Sequence, residues 1–220
     1  LLWSVEGYWK TMTGIREYNG ASMIYPPITS WEKDFVEGRG RSWGAEFSAE
    51  YAPGPRTSLT GYYTLSWSQR FFEDFYYDWY NDRCDNRHKI TLMVNHKFND
   101  RIDCYAGWNF HSGNSFTIAT QAILKQEPYY AQWQHIYEKP NNIKMPAYHR
   151  ADVGINFRKL RSSGVERVWN LSVYNAYSRI NAIMATLGTK YDEKGHIVGW
   201  TTNALGVVPI IPTFSYGLNF

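Results

Sequence analysis

Three stretches of the sequence carry the residue types from which chemistry is built. "DNRHKI" (85–90) sets Asp85, Arg87 and His88 close together, a grouping that suits proton transfer or a metal ligand set. "YHRAD" (148–152) repeats the theme with His149, Arg150 and Asp152. "FFEDFYYDWYNDRCD" (71–85) interleaves aromatic rings with Glu73, Asp74, Asp78 and Asp82. Stacking surfaces beside carboxylates suit sugars, peptides or cationic groups, so Tyr76, Tyr77, Asp78, Trp79, Tyr80 and Asp82 are ligand-contact candidates. "PYYAQWQHIYEKPNN" (128–142) adds Trp133 and His135. "TKYDEKGHIVGWTT" (189–202) reads as a hairpin turning at Glu193-Lys194-Gly195 and adds Trp200, with Tyr191 and His196 as weaker candidates.

Each stretch also has a plainer reading. Asp85, Arg87 and His88 form a charged cluster where a strand begins, suited to hydrogen bonds that fix the preceding loop. Arg150 and Asp152 are charged residues that pair with a neighbouring strand or with whatever fills the space they face. The aromatic loops are β-extensions that pack on themselves. Nucleophile elbow, glycine-rich phosphate loop and paired-ligand helix are all missing from the sequence. No catalytic residue, metal site or cofactor is expected from it. A net charge of +3, with Lys and Arg scattered, does not suit nucleic acid.

The elements that must hold these residues show up as alternation with a period of two. In Ser42–Ala52, Trp43, Ala45, Phe47, Ala49 and Tyr51 share one face, and Ser42, Gly44, Glu46, Ser48 and Glu50 the other. Segments 58–70, 89–98, 102–111, 150–158 and 169–174 repeat the pattern, Leu2–Met12 more weakly, and "PTFSYGLNF" (212–220) makes an eighth. Aromatic content reaches 18%, while mean hydropathy is only −0.50, as expected of a surface half wet and half apolar. No apolar run approaches the roughly 20 residues of a membrane-spanning helix. Strands of about ten residues with one apolar and one charged face fit an antiparallel transmembrane β-barrel with a polar lumen. Trp43, Tyr51, Trp67, Phe98, Phe110, Phe157 and Trp169 sit at strand ends of the apolar face, where interfacial aromatics belong.

Connection lengths alternate. Segments 53–56, 99–101 and 159–167 are short or fairly short, and 13–40, 71–86, 112–148 and 179–210 are long. That parity follows if short turns lie on one side of a membrane and long loops on the other, which makes the short side periplasmic. Glu46, Glu50, Arg70, Lys89, Lys97, Arg150 and Asp152 are then expected to face the lumen. Cys84 falls in an outer loop and Cys104 near the inner rim, an apolar band of about 25 Å apart, so no disulfide between them is expected.

Five motifs carry a resemblance: "GYYTLSWSQRF" (61–71), "DNRHKI" (85–90), "MPAYHRADVGINF" (145–157), "WNLSVYNAYSRIN" (169–181) and "IPTFSYGLNF" (211–220). In their order and spacing the sequence resembles the C-terminal barrel region of TonB-dependent outer-membrane receptors, the branch common in nutrient-scavenging Gram-negative anaerobes. The resemblance implies about eight strands of a 22-stranded barrel in the outer membrane, filled by a plug domain that this sequence does not contain. The lumen-facing residues would contact that plug. Outer-membrane lipid, the TonB energy-coupling complex and a surface lipoprotein are the partners it suggests. It implies uptake of a nutrient (siderophore, haem, glycan or peptide) rather than an enzyme. The terminal strand, with Tyr216 and Phe220, resembles the signal read by outer-membrane assembly machinery. The rival expectation is a self-contained eight-stranded barrel serving as adhesin or surface anchor.

Overall fold

The computed structural model describes residues 1–18, 35–74, 76–126, 131–161 and 164–219. In chain order the strands are β1 (Leu2–Tyr18), β2 (Phe35–Gly54), β3 (Thr57–Phe72), β4 (Tyr76–Asn81) and β5 (His88–Asn99). There follow β6 (Ile102–His111), β7 (Ser115–Phe116), β8 (Gln121–Gln126), β9 (Ala131–Ile136) and β10 (Ile143–Lys144). The last are β11 (Tyr148–Leu160), β12 (Glu166–Tyr174), β13 (Met184–Tyr191), β14 (Ile197–Leu205) and β15 (Ile211–Asn219). The fold is all-β. One antiparallel sheet runs β1-β2-β3-β5-β6-β11-β12-β15, with β4 added beside the C-terminal end of β3. These eight path strands are the eight alternating segments of the sequence. The remaining strands form three small pairs inside the long connections, β7 with β10, β8 with β9 and β13 with β14.

The register explains why the alternation reaches across the whole sheet. Directly paired residues share a face, and the pairing matches apolar to apolar: Phe47 with Tyr63, Tyr63 with Ile90, and Ile90 with Phe110. Cys104 pairs with Ile155, Ile155 with Leu171 and Leu171 with Phe214. A slip of one residue would carry the polar set of a strand onto this face. The opposite face is polar and laced across strands. Asn156 and Arg158 donate to Asp103 at 2.7 and 2.8 Å, and Asn170 donates to Asn156 at 2.8 Å. Tyr105 lies over Gly154 so closely that a Cβ there would come within 2.3 Å of the ring.

Nothing among the described residues covers the apolar face. Trp9 is 66% exposed, Leu92 47% and Phe214 64%. Buried apolar side chains are few (Phe72, Tyr80, Met145 and Ala185) and lie among the long connections rather than on the sheet's apolar face. The chain exposes 15,487 Å², against about 10,400 Å² for a compact soluble chain of this mass. The sheet is a single layer, and its terminal strands β1 and β15 are not paired with each other.

The short connections tighten into turns as their residues require. Asn99 accepts from the backbone N–H groups of Arg101 and Ile102 at 2.9 and 3.0 Å. Between β11 and β12, Gly164 takes a positive φ of 83°. The first long connection is shorter than expected, because β1 continues to Tyr18 and β2 starts at Phe35. The additional length is mixed in character and carries cross-strand ion pairs, Arg16 with Glu37 at 2.9 Å and Arg70 with Glu17 at 3.4 Å. The hairpin expected around 193–195 is present as β13 and β14, with Gly195 at φ 81°.

Candidate functional site

The long connections gather at one end of the sheet, and two buried polar knots fix them there. In the first, Asp85 is 1% exposed. Its carboxylate accepts from the Ser68 backbone N–H at 2.8 Å, from Lys144 Nζ at 3.1 Å and from Arg87 at 3.3 Å. Asn86, also buried, donates to the Ser112 carbonyl at 2.7 Å and to Asn114 at 2.6 Å. Ser66 donates its hydroxyl to the Asn86 carbonyl at 3.1 Å. Segments 82–88, 112–115 and 144–145 are thereby tied to β3. Gly113 sits so close to the Met145 carbonyl that a Cβ would lie 1.6 Å from it, which only glycine permits.

The second knot joins β11 to the segment after β12. Arg150 pairs with Asp152 at 2.8 Å and donates to the hydroxyls of Tyr148 and Tyr174. Asp152 in turn accepts from the Asn175 backbone N–H at 2.9 Å. Asn175 is 1% exposed and adopts φ 55°. Its amide donates to the carbonyls of Arg179 and Val208, at 2.9 and 3.0 Å. Asn181 exchanges two hydrogen bonds with the backbone of His149, each 3.0 Å. The charged trios at 85–88 and 149–152 thus act as loop anchors, each member already committed to a structural partner. Sequence reasoning missed Ser112, Asn114, Lys144, Asn175 and Asn181, although Asn175 and Asn181 stand inside one of the five motifs.

The aromatic stretch 76–82 is split between the two sides of the sheet. Tyr80 pairs with Arg70 on the polar side and is 3% exposed, packed edge-on against Tyr76 at 6.5 Å. Burial, with Glu17 close by, pushes its phenol well above the ordinary range. Tyr80 therefore differs from the ligand-contact expectation: its ring is interior packing. Asp82 is committed to Arg70 at 3.1 Å and to Ser68 Oγ at 3.2 Å. Tyr77 is 85% exposed, Asp78 is exposed and caps the Trp79 N–H at 2.7 Å, and Tyr76 lies 5.8 Å from Lys139 Nζ. Trp79 turns to the other side, 5.7 Å from Phe71 and under the Arg41 guanidinium at 4.2 Å.

Trp133 and His135 stand on β9, opposite Leu124 and Ala122 of β8, and Trp200 stands on β14 opposite Thr189. The structure brings these two hairpins into neither polar knot. The set Glu46, Glu50, Arg70, Lys89, Lys97, Arg150 and Asp152 does share one face. Glu46 lies in a row with Thr64 and Lys89, and Glu50 in a row with Thr60, Met93, Gly107 and Asp152. Tyr216 falls on the apolar face against Trp169, ring centroids 5.6 Å apart. Phe220 lies outside the described residues. Cys84 and Cys104 are both free thiols.

The β13–β14 turn is organised by Asp192. Its carboxylate accepts from the backbone N–H groups of His196 and Lys194, both at 2.8 Å. The His196 bond is the largest cause of a carboxyl held below its usual range. A depressed folded value means the stabilisation is present above the ordinary carboxylate range and lost as pH falls through the folded one. Amide-exchange protection at His196 is expected to hold at neutral pH and collapse in acid, and Asp192→Asn to flatten that dependence.

No protein-family model matches the chain, and no curated protein matches it.

Proposed function

We propose that this chain is a wall segment of a large outer-membrane β-barrel, belonging to a TonB-dependent receptor that takes up a nutrient across the outer membrane. The observation that carries the reading is the apolar face. It runs unbroken over eight antiparallel strands, lies opposite a charged face, and has no cover among the described residues. A monomeric soluble protein rarely leaves such a patch bare, whereas lipid is its natural cover. Rows of stacked aromatics bound it. Trp9, Trp43 and Trp67 stack at 5.2 and 5.9 Å near the looped end, and Trp169 packs on Tyr216 towards the other. Trp43 and Tyr51 are eight residues apart, about 26 Å along a strand and about 20 Å once tilted by roughly 40°.

The unpaired edges β1 and β15 favour a larger barrel over a small one closed by these strands alone. A 22-stranded wall around a plug, with the polar face turned to it, accounts for the charged residues on that face. The five motifs and their order support the receptor class, and the anchored loops suit a fixed binding surface at the outer mouth. Siderophore, haem, glycan and peptide remain the ligand classes that exposed rings beside carboxylates would serve.

The test uses the full-length protein in its own cells. It is expected in the outer-membrane fraction, with uptake abolished when the energy-coupling complex is removed. Tyr77→Ala combined with Tyr76→Ala is expected to weaken ligand binding by roughly tenfold without changing the amount inserted. Recovery from the soluble fraction, or uptake indifferent to energy coupling, would exclude the proposal.

A further inference from the structure

On the apolar side, directly beyond the row Trp9–Trp43–Trp67, the sheet does not turn uniformly polar. It turns cationic. Arg39 and Arg41 follow Trp43 on the same face of β2. The Arg41 guanidinium lies 4.2 Å over Trp79 and 5.6 Å from the Trp43 ring, and its Nε donates to Gln69 at 2.8 Å. Arg39 lies 4.8 Å over Phe71, which itself packs against Trp79. Neither has an ion-pair partner among the described residues. The carboxylate next along that face of β2, Glu37, is already taken by Arg16 at 2.9 Å. Two arginines are therefore held over aromatic rings, with their terminal N–H groups uncommitted to any carboxylate among the described residues.

That arrangement has a chemistry. A guanidinium stacked on a ring keeps its hydrogen-bonding edge free, and its planar fork matches a phosphate. Solvated arginines at an exposed rim would spread out; these are pre-positioned by Phe71, Trp79 and Gln69, which lowers the cost of binding. The site is open sideways onto the apolar face, so its ligand must bring an apolar body to lie beside Trp43 and Trp67 as well as an anionic head. Resting on the membrane reading above, we infer that Arg39 and Arg41 bind the phosphorylated head group of an outer-leaflet glycolipid. The Trp row beneath them sits where such rings mark a membrane interface. Trp79 then serves the lipid side of the wall rather than a nutrient in the mouth.

The experiment measures lipid retention by native mass spectrometry. Full-length protein is reconstituted in nanodiscs doped with bis-phosphorylated lipid A or with its phosphate-free form, then released into detergent. The wild type is expected to retain the phosphorylated form roughly tenfold better, and Arg39→Gln with Arg41→Gln to erase that preference while still migrating as a folded, heat-modifiable band. Equal retention of the two lipids by the wild type overturns the inference, and so does an undiminished preference in the double variant. The wild-type comparison needs no variant, so it decides the matter even where the variant does not fold. Protein that inserts but shows no preference refutes the lipid site alone. Protein that does not insert refutes the membrane reading with it.

Discussion

With the apolar face turned to lipid, as proposed, Leu92→Arg is expected to lower the stability of the protein folded in lipid vesicles by about 2–4 kcal/mol, the cost of a cation near the middle of a lipid-facing strand. Met93→Arg, one residue further along β5, is expected to cost less than about 1 kcal/mol. The two positions are chemically alike and differ in face. Leu92 pairs with Gly61 and Trp108 on the apolar side, midway between His88 and Phe98. Met93 pairs with Thr60 and Gly107, in the row that carries Glu50 and Asp152 two strands away on either side, about 10 Å distant. An arginine at 93 enters a polar face with carboxylates in reach, whereas one at 92 enters hydrocarbon. In water the contrast would nearly vanish, because Leu92 is already 47% exposed. Urea midpoints in vesicles measure it. Equal midpoints for the two variants would mean that the apolar face does not meet lipid.

The main sheet was legible because alternation is a local signal that the register then amplifies. Trp43, Phe47 and Tyr51 announce a face by themselves, and the pairing only had to align them with Trp67, Tyr63 and Leu59. The three small strand pairs of the loops were harder to read for the opposite reason. Strands such as β7 and β10 are two residues each, too short for any period to show. The extension of β1 to Tyr18 and of β2 back to Phe35 was hidden because each of its faces mixes charged, apolar and glycine positions, so alternation does not mark it. The hairpin at β13 and β14 was visible from one residue, Gly195, because a positive φ is a property of the turn alone.

At the looped end the sequence exposed the anchors but not their partners. Asp85 and Arg150 stand in compact charged clusters, and compactness is visible in one dimension. What each one holds is not: Lys144 reaches Asp85 from 59 positions away, and Asn181 reaches His149 from 32. The side of the sheet on which a loop residue falls was equally out of reach. Tyr80 and Trp79 are neighbours in sequence, yet β4 pairs with β3 so that one is interior packing and the other a shelf for Arg41. That assignment depends on a register that no short-range pattern encodes.

The knot around Asp85 makes a second large effect expected. Asp85→Ala removes the carboxylate that Lys144, Arg87 and the Ser68 backbone N–H share. Removing one partner of a fully buried ion pair costs about 3–5 kcal/mol. Here Lys144 is 44% and Arg87 33% exposed, so both can turn to water, and about 2–3 kcal/mol is the better expectation. The loss is local. Asp85 ties segments 112–115 and 144–145 to β3 but touches nothing on the apolar face, so insertion is expected to be unchanged while the loop end opens. Trypsin reports this directly, since Arg83, Arg87 and Lys144 all lie in the knot. Cutting tracks the open population when opening is fast, so a change of that size is read as cleavage roughly 30 to 160 times faster. Asp85→Asn keeps the shape and one acceptor oxygen and is expected to fall between the two. Unaltered cleavage in Asp85→Ala would mean that the loops are held by the Asn86 bonds alone, and that the charged trio is free for chemistry after all.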